Sequence, residues 1–263
     1  IKKDNRQSLF ATGMYDPATK QMDYTANVSN LSLVVLESVL YKNFSEFQGE
    51  ASGKMRIYGK ADSILMQGAI KGNNAGLTIN YTQVDYQFSD SIYFKGDTIH
   101  FDKITIRDDK NNTGVFDGTI VHKNFRNMQY DLSVNSRKIT AINTSPRDNE
   151  QFFGQVIGSG NLLITGFGTK INLSGSATTL AGTNVNISLD YKGEIEQYDF
   201  IEFVATNVSE KPDFVFSKKK EDDFTLDLTI RATPEAKAQL IYNSQIGDVI
   251  QAQGDGILLF AME

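Results

Sequence analysis

The chain contains no cysteine, and it has only two histidines and four prolines among its 263 residues. The absence of cysteine excludes a disulfide framework, a thiolate nucleophile and a zinc site with cysteine ligands. No apolar run reaches the roughly 18–20 residues that a membrane-spanning helix requires. The chain also lacks a basic patch, and its net charge of −6 argues against nucleic acid as a partner, because phosphates attract clusters of Lys and Arg.

Residue patterns for catalysis and metal binding are also missing. His100 and His122 lie in strand-like contexts without a second ligand at metal-binding spacing, and we interpret both as exposed strand residues. The segment that begins at Asp109 starts like a calcium loop, but Ile120 stands where that loop needs a bidentate carboxylate. We therefore interpret the segment as a polar turn, and we expect no metal, no cofactor and no enzymatic activity.

The chain is rich in segments where apolar and polar residues alternate. Phe224, Leu226, Leu228 and Ile230 alternate strictly with polar residues, and several other segments repeat the pattern. Such a period of two predicts strands with one apolar face and one polar face. Turn signals such as residues 109–112 separate the strands at short intervals, so we expect neighbouring strands to be mainly antiparallel.

Three segments depart from this pattern. Residues 31–47 place apolar side chains at near-helical spacing, which predicts one amphipathic helix near the N-terminus. Residues 146–153 predict a second, short helix, and residues 233–237 predict one further turn. Everything else is expected to be strand or turn, so the predicted fold class is mainly β.

We expect residues 1–263 to form one elongated β-rich unit and to be a fragment of a longer protein. Within this unit, residues 49–95 and 154–204 suggest a weak internal repeat. Four positions of the first block recur 107 residues later: Gly53, Ile57, Gly59 and Gly68 correspond to Gly160, Ile164, Gly166 and Gly175. Glycines at matched places in strand-rich sequence predict repeated bends or bulges.

A sheet with one apolar face must bury that face against something. A second sheet, closure into a barrel, or a trough that binds an apolar ligand would each do so, and the alternation does not choose among them. A lipid acyl chain suits a trough, because each buried CH₂ contributes about 0.8 kcal/mol. In that case the predicted lining is the inward set of the clearest strands: Leu77, Ile79, Tyr81, Val185, Ile187, Leu189, Phe224, Leu226, Leu228 and Ile230. The alternative is that some of these side chains fill a core beneath the predicted helix.

Five segments carry a family resemblance: LESVLYKNFSEFQG at 36–49, GKMRIYG at 53–59, NTSPRDNEQFFG at 143–154, QYDFIEF at 197–203 and TPEAKAQLIY at 233–242. They resemble the C-terminal region of TamB proteins, the translocation and assembly module subunit, and are most similar to the Bacteroidota branch. The segments are spread along the chain in the order that the family shows.

The resemblance implies a member of the AsmA-like bridge superfamily, with a long curled sheet often called a β-taco. Together with the alternation of apolar and polar residues, the resemblance leads us to expect an elongated, curled, antiparallel-rich trough rather than a closed barrel. It also implies a periplasmic segment whose parent is anchored in the inner membrane by an N-terminal segment absent from this chain.

The implied function is non-catalytic transport of phospholipid between the inner and outer membranes, with the acyl chains in the groove. The alternative is chaperone-like assembly of outer-membrane β-barrel proteins or autotransporters, through a BamA-like outer-membrane barrel partner. An adhesin-like structural repeat is a third interpretation, which would require a filled core and no bound lipid.

Overall fold

A computed structural model of the chain describes residues 2–3, 6–150, 152–188, 202–204, 224–243 and 248–262. The structure is 76% strand and forms a large curled mixed sheet, with one short helical segment of 8 residues near the N-terminus. The mainly β, curled architecture that the alternation and the resemblance predicted is therefore confirmed.

Short turns join most consecutive strands, and this connectivity makes most pairings antiparallel. The strands of the described residues are β1 (Lys2–Lys3), β2 (Arg6–Gln7), β3 (Leu9–Asp16), β4 (Gln21–Ser32), β5 (Phe44–Lys60), β6 (Ser63–Ile79), β7 (Val84–Phe88), β8 (Ser91–Gly96), β9 (Thr98–Arg107), β10 (Thr113–Lys123), β11 (Arg126–Thr144), β12 (Phe152–Phe167), β13 (Lys170–Thr179), β14 (Asn184–Ser188), β15 (Glu202–Val204), β16 (Phe224–Ala232), β17 (Lys237–Asn243), β18 (Asp248–Ala252) and β19 (Gly256–Met262).

One continuous sheet extends from β3 to β19. Its strands pair antiparallel in chain order from β3 to β13, and β7 and β8 share the place between β6 and β9. Farther on, β13 and β14 pair in parallel with β16 and β17, which in turn pair antiparallel with β19 and β18. Backbone register among the described residues gives β3 one partner, β4, so β3 forms an edge of the curled sheet.

Interruptions of the strands follow one line across the sheet, which we call the crease. They are Gly49 in β5, Asn74 in β6, residues 89–90 between β7 and β8, residues 108–112 between β9 and β10, residues 137–138 in β11, residues 180–183 between β13 and β14, and residues 233–236 between β16 and β17. Hydrogen bonds link successive interruptions, such as Asn74 N–H to Ser89 Oγ at 2.9 Å and Lys237 N–H to the Thr183 carbonyl at 3.0 Å.

The crease divides the sheet into two wings. The large wing contains β3, β4, β8, β9, β10, β13, β15, β16, β19 and the adjoining parts of β5, β6, β11 and β12. The small wing contains β7, β14, β17, β18 and the other parts of those four long strands. Because the β9–β10 turn ends at the crease, β7 lies beside β11 in the small wing, where Asn143 N–H donates to the Thr82 carbonyl at 2.8 Å.

Burial is deepest near the crease. The largest fully buried side chains are those of Ile104 on β9, Val84 on β7 and Thr140 on β11. The most deeply buried large side chains therefore lie along the crease, whereas most side chains of the wings are half-buried or exposed.

Asp108, at the start of the β9–β10 turn, ties the strands of the crease together. Its carboxylate is buried and accepts hydrogen bonds from Thr140 N–H at 2.9 Å, from the Thr140 hydroxyl at 2.8 Å and from Asn112 N–H at 2.8 Å. The Tyr86 hydroxyl donates to the Thr140 carbonyl at 2.6 Å, which adds β7 to the network. Burial, and then the charge of Asp108, raise the pKa of Tyr86, so this hydroxyl remains a donor at ordinary pH.

The helix predicted for residues 31–47 is confirmed in its position but is shorter than expected. A 3₁₀ turn at Leu33–Leu36 continues into α1 (Glu37–Leu40). The residues on either side belong to β4 and β5, because Leu31 pairs with Ala51 and Phe44 pairs with Ile79. Strand pairing with these long neighbours outweighs the near-helical spacing of the apolar residues.

The second helix, predicted for residues 146–153, is wrong. Residues 146–148 form a turn in which Ser145 N–H and the Ser145 hydroxyl donate to the Asp148 carboxylate at 2.8 and 2.6 Å, and β12 begins at Phe152. The turn predicted for residues 233–237 is present, with Ala236 N–H donating to the Thr233 carbonyl at 3.0 Å.

The hairpins β5–β6 and β12–β13 have the same register at a separation of 107 residues. Gly53 opposes Ile70 in the first hairpin, and Gly160 opposes Ala177 in the second. Both hairpins also close on a two-residue turn. The shared register is compatible with the internal repeat, which stays a prediction because most of residues 189–204 lie outside the described part of the chain.

Candidate functional site

Strand register aligns apolar residues in rows that cross the large wing at right angles to its strands. The first row is Leu9, Val28, Gly53, Ile70, Ile92, Phe101, Gly118, Leu132, Ile164, Leu173 and Leu226. The second row is Ala11, Ala26, Met55, Gly68, Phe94, Ile99, Ile120, Tyr130, Gly166, Ile171 and Phe224. At about 4.8 Å between strands, each row extends about 50 Å along the sheet. We call the pleat face that carries these rows the inner face.

The opposite pleat face, which we call the outer face, is mainly polar. Arg56 on β5 donates two hydrogen bonds, of 2.8 and 2.6 Å, to Asp23 on β4, and its guanidinium lies 4.8 Å from the centre of the Tyr58 ring. Both members of this ion pair are about half exposed. The two faces therefore differ as the period-two pattern predicted, with charge on one side and hydrocarbon on the other.

We infer from the burial of its side chains that the inner face is the concave side of the curl. Most of its side chains are half-buried, Ala26 and Leu132 are buried and Ala11 is exposed, although no second layer of the described residues covers them. They must therefore shield one another, as the rings of Phe101 and Phe116 do at a centroid distance of 4.9 Å. Side chains converge in this way on a concave face and diverge on a convex one.

Glycines allow the inner face to curve tightly. At Gly118, φ is +131° and an added Cβ would lie 2.1 Å from the carbonyl oxygen of Asp131 on the neighbouring strand. Gly160 has φ of +154° and would meet the Ser176 carbonyl at the same distance. A side chain at either position requires the backbone to move, so glycine is needed for both the dihedral and the space.

Replacing Gly118 by alanine is therefore expected to destabilise the protein by about 2 kcal/mol or more. Gly254→Ala is the matched control, because an added Cβ there meets nothing within 4 Å. Urea unfolding of the two variants and the parent measures the difference. A Gly118→Ala midpoint equal to that of Gly254→Ala would contradict the assigned backbone geometry.

Four of the predicted lining residues lie together on β16. Phe224, Leu226, Leu228 and Ile230 all occupy inner-face register positions, opposite inner-face residues of β13, and all are half-buried. Phe224 and Leu226 end the two rows described above, and Leu228 lies beside them, between Gly175 and Phe260. Their contact with lipid stays a prediction.

Four more predicted residues lie on the inner face of the small wing. Leu77 and Ile79 are on β6. Val185 and Ile187 are on β14, and their register partners on β12 lie on the same pleat face as the residues that β12 contributes to the two rows. All four are half-buried. The register therefore places eight of the ten predicted residues on one pleat face, distributed over both wings.

The remaining two predicted residues differ from these eight. Tyr81 lies in the turn after β6 rather than in a strand, is 68% exposed, and meets Phe152 edge-on at a ring distance of 6.1 Å. It is at the margin of the sheet because the chain turns at residues 80–83. Leu189 lies outside the described residues.

Several inner-face residues were not predicted, including Phe101 and Ile104 on β9. The reason is a bulge at Lys103, which has φ of +47° and shifts the phase of the strand between these two residues. A strict period-two search therefore misses the second half of β9. The only sequence signal was the apolar content of the segment as a whole.

His122 is 3% exposed, so the interpretation of this residue as an exposed histidine is wrong. Its Nδ1 accepts a hydrogen bond from Phe125 N–H at 3.3 Å, and the two rings stack at 4.5 Å. Burial lowers the pKa of His122, and the charge of Asp97 opposes this only in part. His122 is therefore a neutral anchor for the β10–β11 turn.

Neither metal ligands nor a membrane-spanning helix are found in the described part of the chain. Its His, Asp and Glu side chains form no group of three that could hold a metal ion. None of its helices combines the length and the apolar character that crossing a bilayer requires.

A family model described as the TamB C-terminal domain matches residues 102–263, which include most of β9 and all later strands. No curated protein and no solved structure matches the chain. The matched residues make up more than half of the chain and contain the β16 segment of the inner face. This chain therefore belongs to the TamB family of translocation and assembly module proteins.

Proposed function

We propose that this chain is a non-catalytic periplasmic segment of an envelope-spanning TamB protein, and that its inner face is a groove for phospholipid transport between the inner and outer membranes. The two unbroken rows of the inner face carry this proposal. An acyl chain that lies along a row meets one apolar residue after another on eleven successive strands.

The uniformity of the rows suits movement as well as binding. Each CH₂ that leaves one apolar contact gains an equivalent one on the next strand, so the transfer free energy of about 0.8 kcal/mol per CH₂ is kept along the way. A polar residue within a row would interrupt this, because the acyl chain cannot satisfy its hydrogen bonds. The glycines widen the path without adding polar side chains.

Family membership supports the location and partners in this proposal. TamB proteins span the envelope and are associated with outer-membrane assembly. In the proposal, the protein is anchored in the inner membrane, and its other partner is a BamA-like outer-membrane barrel protein. The ligand of the segment itself is the acyl chain of a phospholipid.

Site-specific photo-crosslinking in cells tests the groove directly. A photo-reactive residue at Leu228 or Ile187 is expected to capture phospholipid, whereas the same residue at the adjacent outer-face positions Asp227 and Asn186 is not. Mass spectrometry of the purified protein identifies the adduct. Capture at the outer-face positions in preference to the inner-face ones would overturn the assigned face.

A second candidate function, chaperone-like assembly of outer-membrane β-barrel proteins or autotransporters, is favoured by the edge strand β3. Its sequence contains no Lys or Pro that would discourage pairing, and Phe10 and Met14 on its outer face are 49% and 78% exposed. An extended client segment could add to this edge through backbone hydrogen bonds. Such pairing does not use inner-face side chains, which separates it experimentally from lipid transport.

A further inference from the structure

An open cleft lies at the margin of the small wing, where β5 and β7 begin and β6 and β11 end. Its volume is about 370 Å³, and most of its lining surface is polar. We call it the acidic cleft because the carboxylates of Glu46, Asp85 and Asp148 line it. None of the described residues in its lining is Lys, Arg or His. The cleft therefore carries a negative charge with no cation of its own.

The acidic cleft has more hydrogen-bond acceptors than donors. The Thr78 hydroxyl lies 2.5 Å from Asp85 Oδ1 and 3.4 Å from Glu46 Oε2, but its single proton can be donated to only one of them at a time. The ion pairs of the described part of the chain include none of the three carboxylates of the cleft. These carboxylates therefore have acceptor positions that a cationic ligand can use.

Asp148 contributes a stable negative charge to the cleft. The Ser145 hydroxyl and the Ser145 N–H donate to its carboxylate and hold the pKa of Asp148 below its ordinary value. The neighbouring Arg147 lies outside the lining, and its charge is the smallest of the influences on this pKa. Asp148 is therefore ionised at neutral pH by local hydrogen bonds rather than by an ion pair.

A buried hydroxyl without a partner also belongs to the lining of the acidic cleft. Thr144 is 7% exposed, and its Oγ1 has no hydrogen-bond partner among the described residues. Nearly all buried polar atoms in native proteins are hydrogen-bonded, so such an atom in the lining indicates a polar group supplied by a ligand. This observation is independent of the carboxylates and indicates a binding site at the same place.

The short helical segment beside the cleft exposes apolar side chains, which we call the helical patch. Its members are between 38% and 73% exposed: Val34, Val35, Val39, Leu40 and Tyr41. Glu37 Oε1 accepts a hydrogen bond from Phe47 N–H at 3.3 Å, which fixes the segment against β5. Contiguous exposed apolar surface of this kind marks an interaction site.

Asn80 joins the helical patch to the acidic cleft. Its side-chain amide donates to the Tyr41 carbonyl at 2.9 Å, and its Oδ1 accepts from the hydroxyl of Ser45, which lines the cleft, at 2.6 Å. Asn80 N–H also donates to the Asn43 carbonyl at 3.0 Å. The patch and the cleft are therefore adjoining parts of one surface at the margin of the small wing.

We propose that this surface docks an amphipathic helix of a partner protein, with apolar residues on the helical patch and a Lys or Arg side chain in the acidic cleft. Charge complementarity identifies the occupant, because a Lys ammonium has three donors and an Arg guanidinium has five for the free acceptors of the cleft. The apolar side of an amphipathic helix fits the patch. The surface lies outside the two rows of the inner face, so this inference does not depend on lipid transport.

Binding of two synthetic helical peptides to the purified chain tests the proposal. One fluorescent peptide has Leu along one side and Lys along the other, and the second has Glu in place of Lys. Fluorescence anisotropy is expected to show binding of the Leu/Lys peptide, at an affinity about tenfold lower for Glu46→Gln/Asp85→Asn. Asp62→Asn/Asp131→Asn is the matched control, because it removes the same charge from exposed positions away from the cleft, and it is expected to bind as the parent does.

The helical patch is tested by Val39→Ser/Tyr41→Ser, which is also expected to weaken binding of the Leu/Lys peptide about tenfold. Unchanged affinity in this variant or in Glu46→Gln/Asp85→Asn would overturn the proposal. An equal loss in Asp62→Asn/Asp131→Asn, binding of the Leu/Glu peptide as tightly as the Leu/Lys peptide, or no peptide binding by the parent would also overturn it. None of these results bears on phospholipid loading, which is measured separately.

Two further measurements distinguish other occupants of the same surface. Calcium chloride is titrated into the parent and into Glu46→Gln/Asp85→Asn by calorimetry, and binding to the parent alone would make the cleft a metal site. Vesicles of phosphatidylcholine are sedimented with the parent and with Val39→Ser/Tyr41→Ser, and binding that only the parent shows would make the patch a membrane contact. Either result would make the proposal wrong, and the absence of both is expected.

Discussion

Phospholipid loading is expected to fall to background when Leu228 is replaced by aspartate, and to remain unchanged when the same charge is placed at Thr229. Leu228 lies on the inner face between Gly175 and Phe260, whereas Thr229 is exposed on the outer face of the same strand. A carboxylate at position 228 would face hydrocarbon with no partner, at a cost of several kcal/mol to the bound state. Native mass spectrometry of both variants after incubation with phospholipid vesicles measures the effect.

The Leu228→Asp variant also separates the two candidate functions. Addition of a client strand at β3 uses backbone groups far along the sheet from β16, so this activity is expected to survive the substitution. Urea unfolding identifies any general loss of stability, and Thr229→Asp controls for the added charge. Normal phospholipid loading by a folded Leu228→Asp protein would exclude the inner face as the lipid path.

Replacing Asp108 by alanine is expected to cost about 3 kcal/mol or more in the free energy of unfolding. The substitution leaves the buried Thr140 N–H and hydroxyl without their acceptor and removes the bond to Asn112 N–H that shapes the β9–β10 turn. Asp109→Ala is the control, because Asp109 is an exposed neighbour in the same turn. A shift in urea midpoint that is the same for both variants would contradict a special role for the buried carboxylate.

The same carboxylate makes the crease sensitive to acid. Burial is the largest single influence on the pKa of Asp108 and raises it, but the hydrogen bonds from Asn112 and Thr140 together outweigh burial, so the pKa lies below its ordinary value of 3.8. A lowered folded-state pKa means that the stabilisation is complete above the ordinary value and is lost as the pH falls through the folded-state value. We therefore expect the stability difference between the parent and Asp108→Ala to be constant near neutral pH and to shrink below about pH 4. A difference that grows in acid would contradict this assignment.

The strand phases were predictable where alternation is uninterrupted. On β16, four apolar residues at strict period two specify one face, because a slip of one residue would reverse all of them. On β9, the bulge at Lys103 breaks the period, so Ile104 could not be assigned to the face that Phe101 occupies. Bulges depend on pairing with the neighbouring strand, and this pairing is not encoded in the spacing of one segment.

The crease was not predictable for a related reason. Asp108 was adjacent to a segment interpreted as an ordinary polar turn, and only the fold brings it to Thr140, 32 residues later. The helix at residues 31–47 was overestimated because Phe44 has both a helical spacing to its neighbours and a strand partner, Ile79. Contacts at such sequence distances, rather than local propensity, determine the structure at these positions.

The rows of the inner face run across the strands rather than along them, and this direction determines how such a protein can change in size. Lengthening a strand widens the sheet but adds nothing to a row, whereas each additional hairpin extends every row by two strands, or about 10 Å. Insertion or loss of a whole hairpin also preserves strand direction and the face on which each residue lies. In the proposed transport function, the hairpin is therefore the unit by which the length of the lipid path changes while its apolar lining is kept.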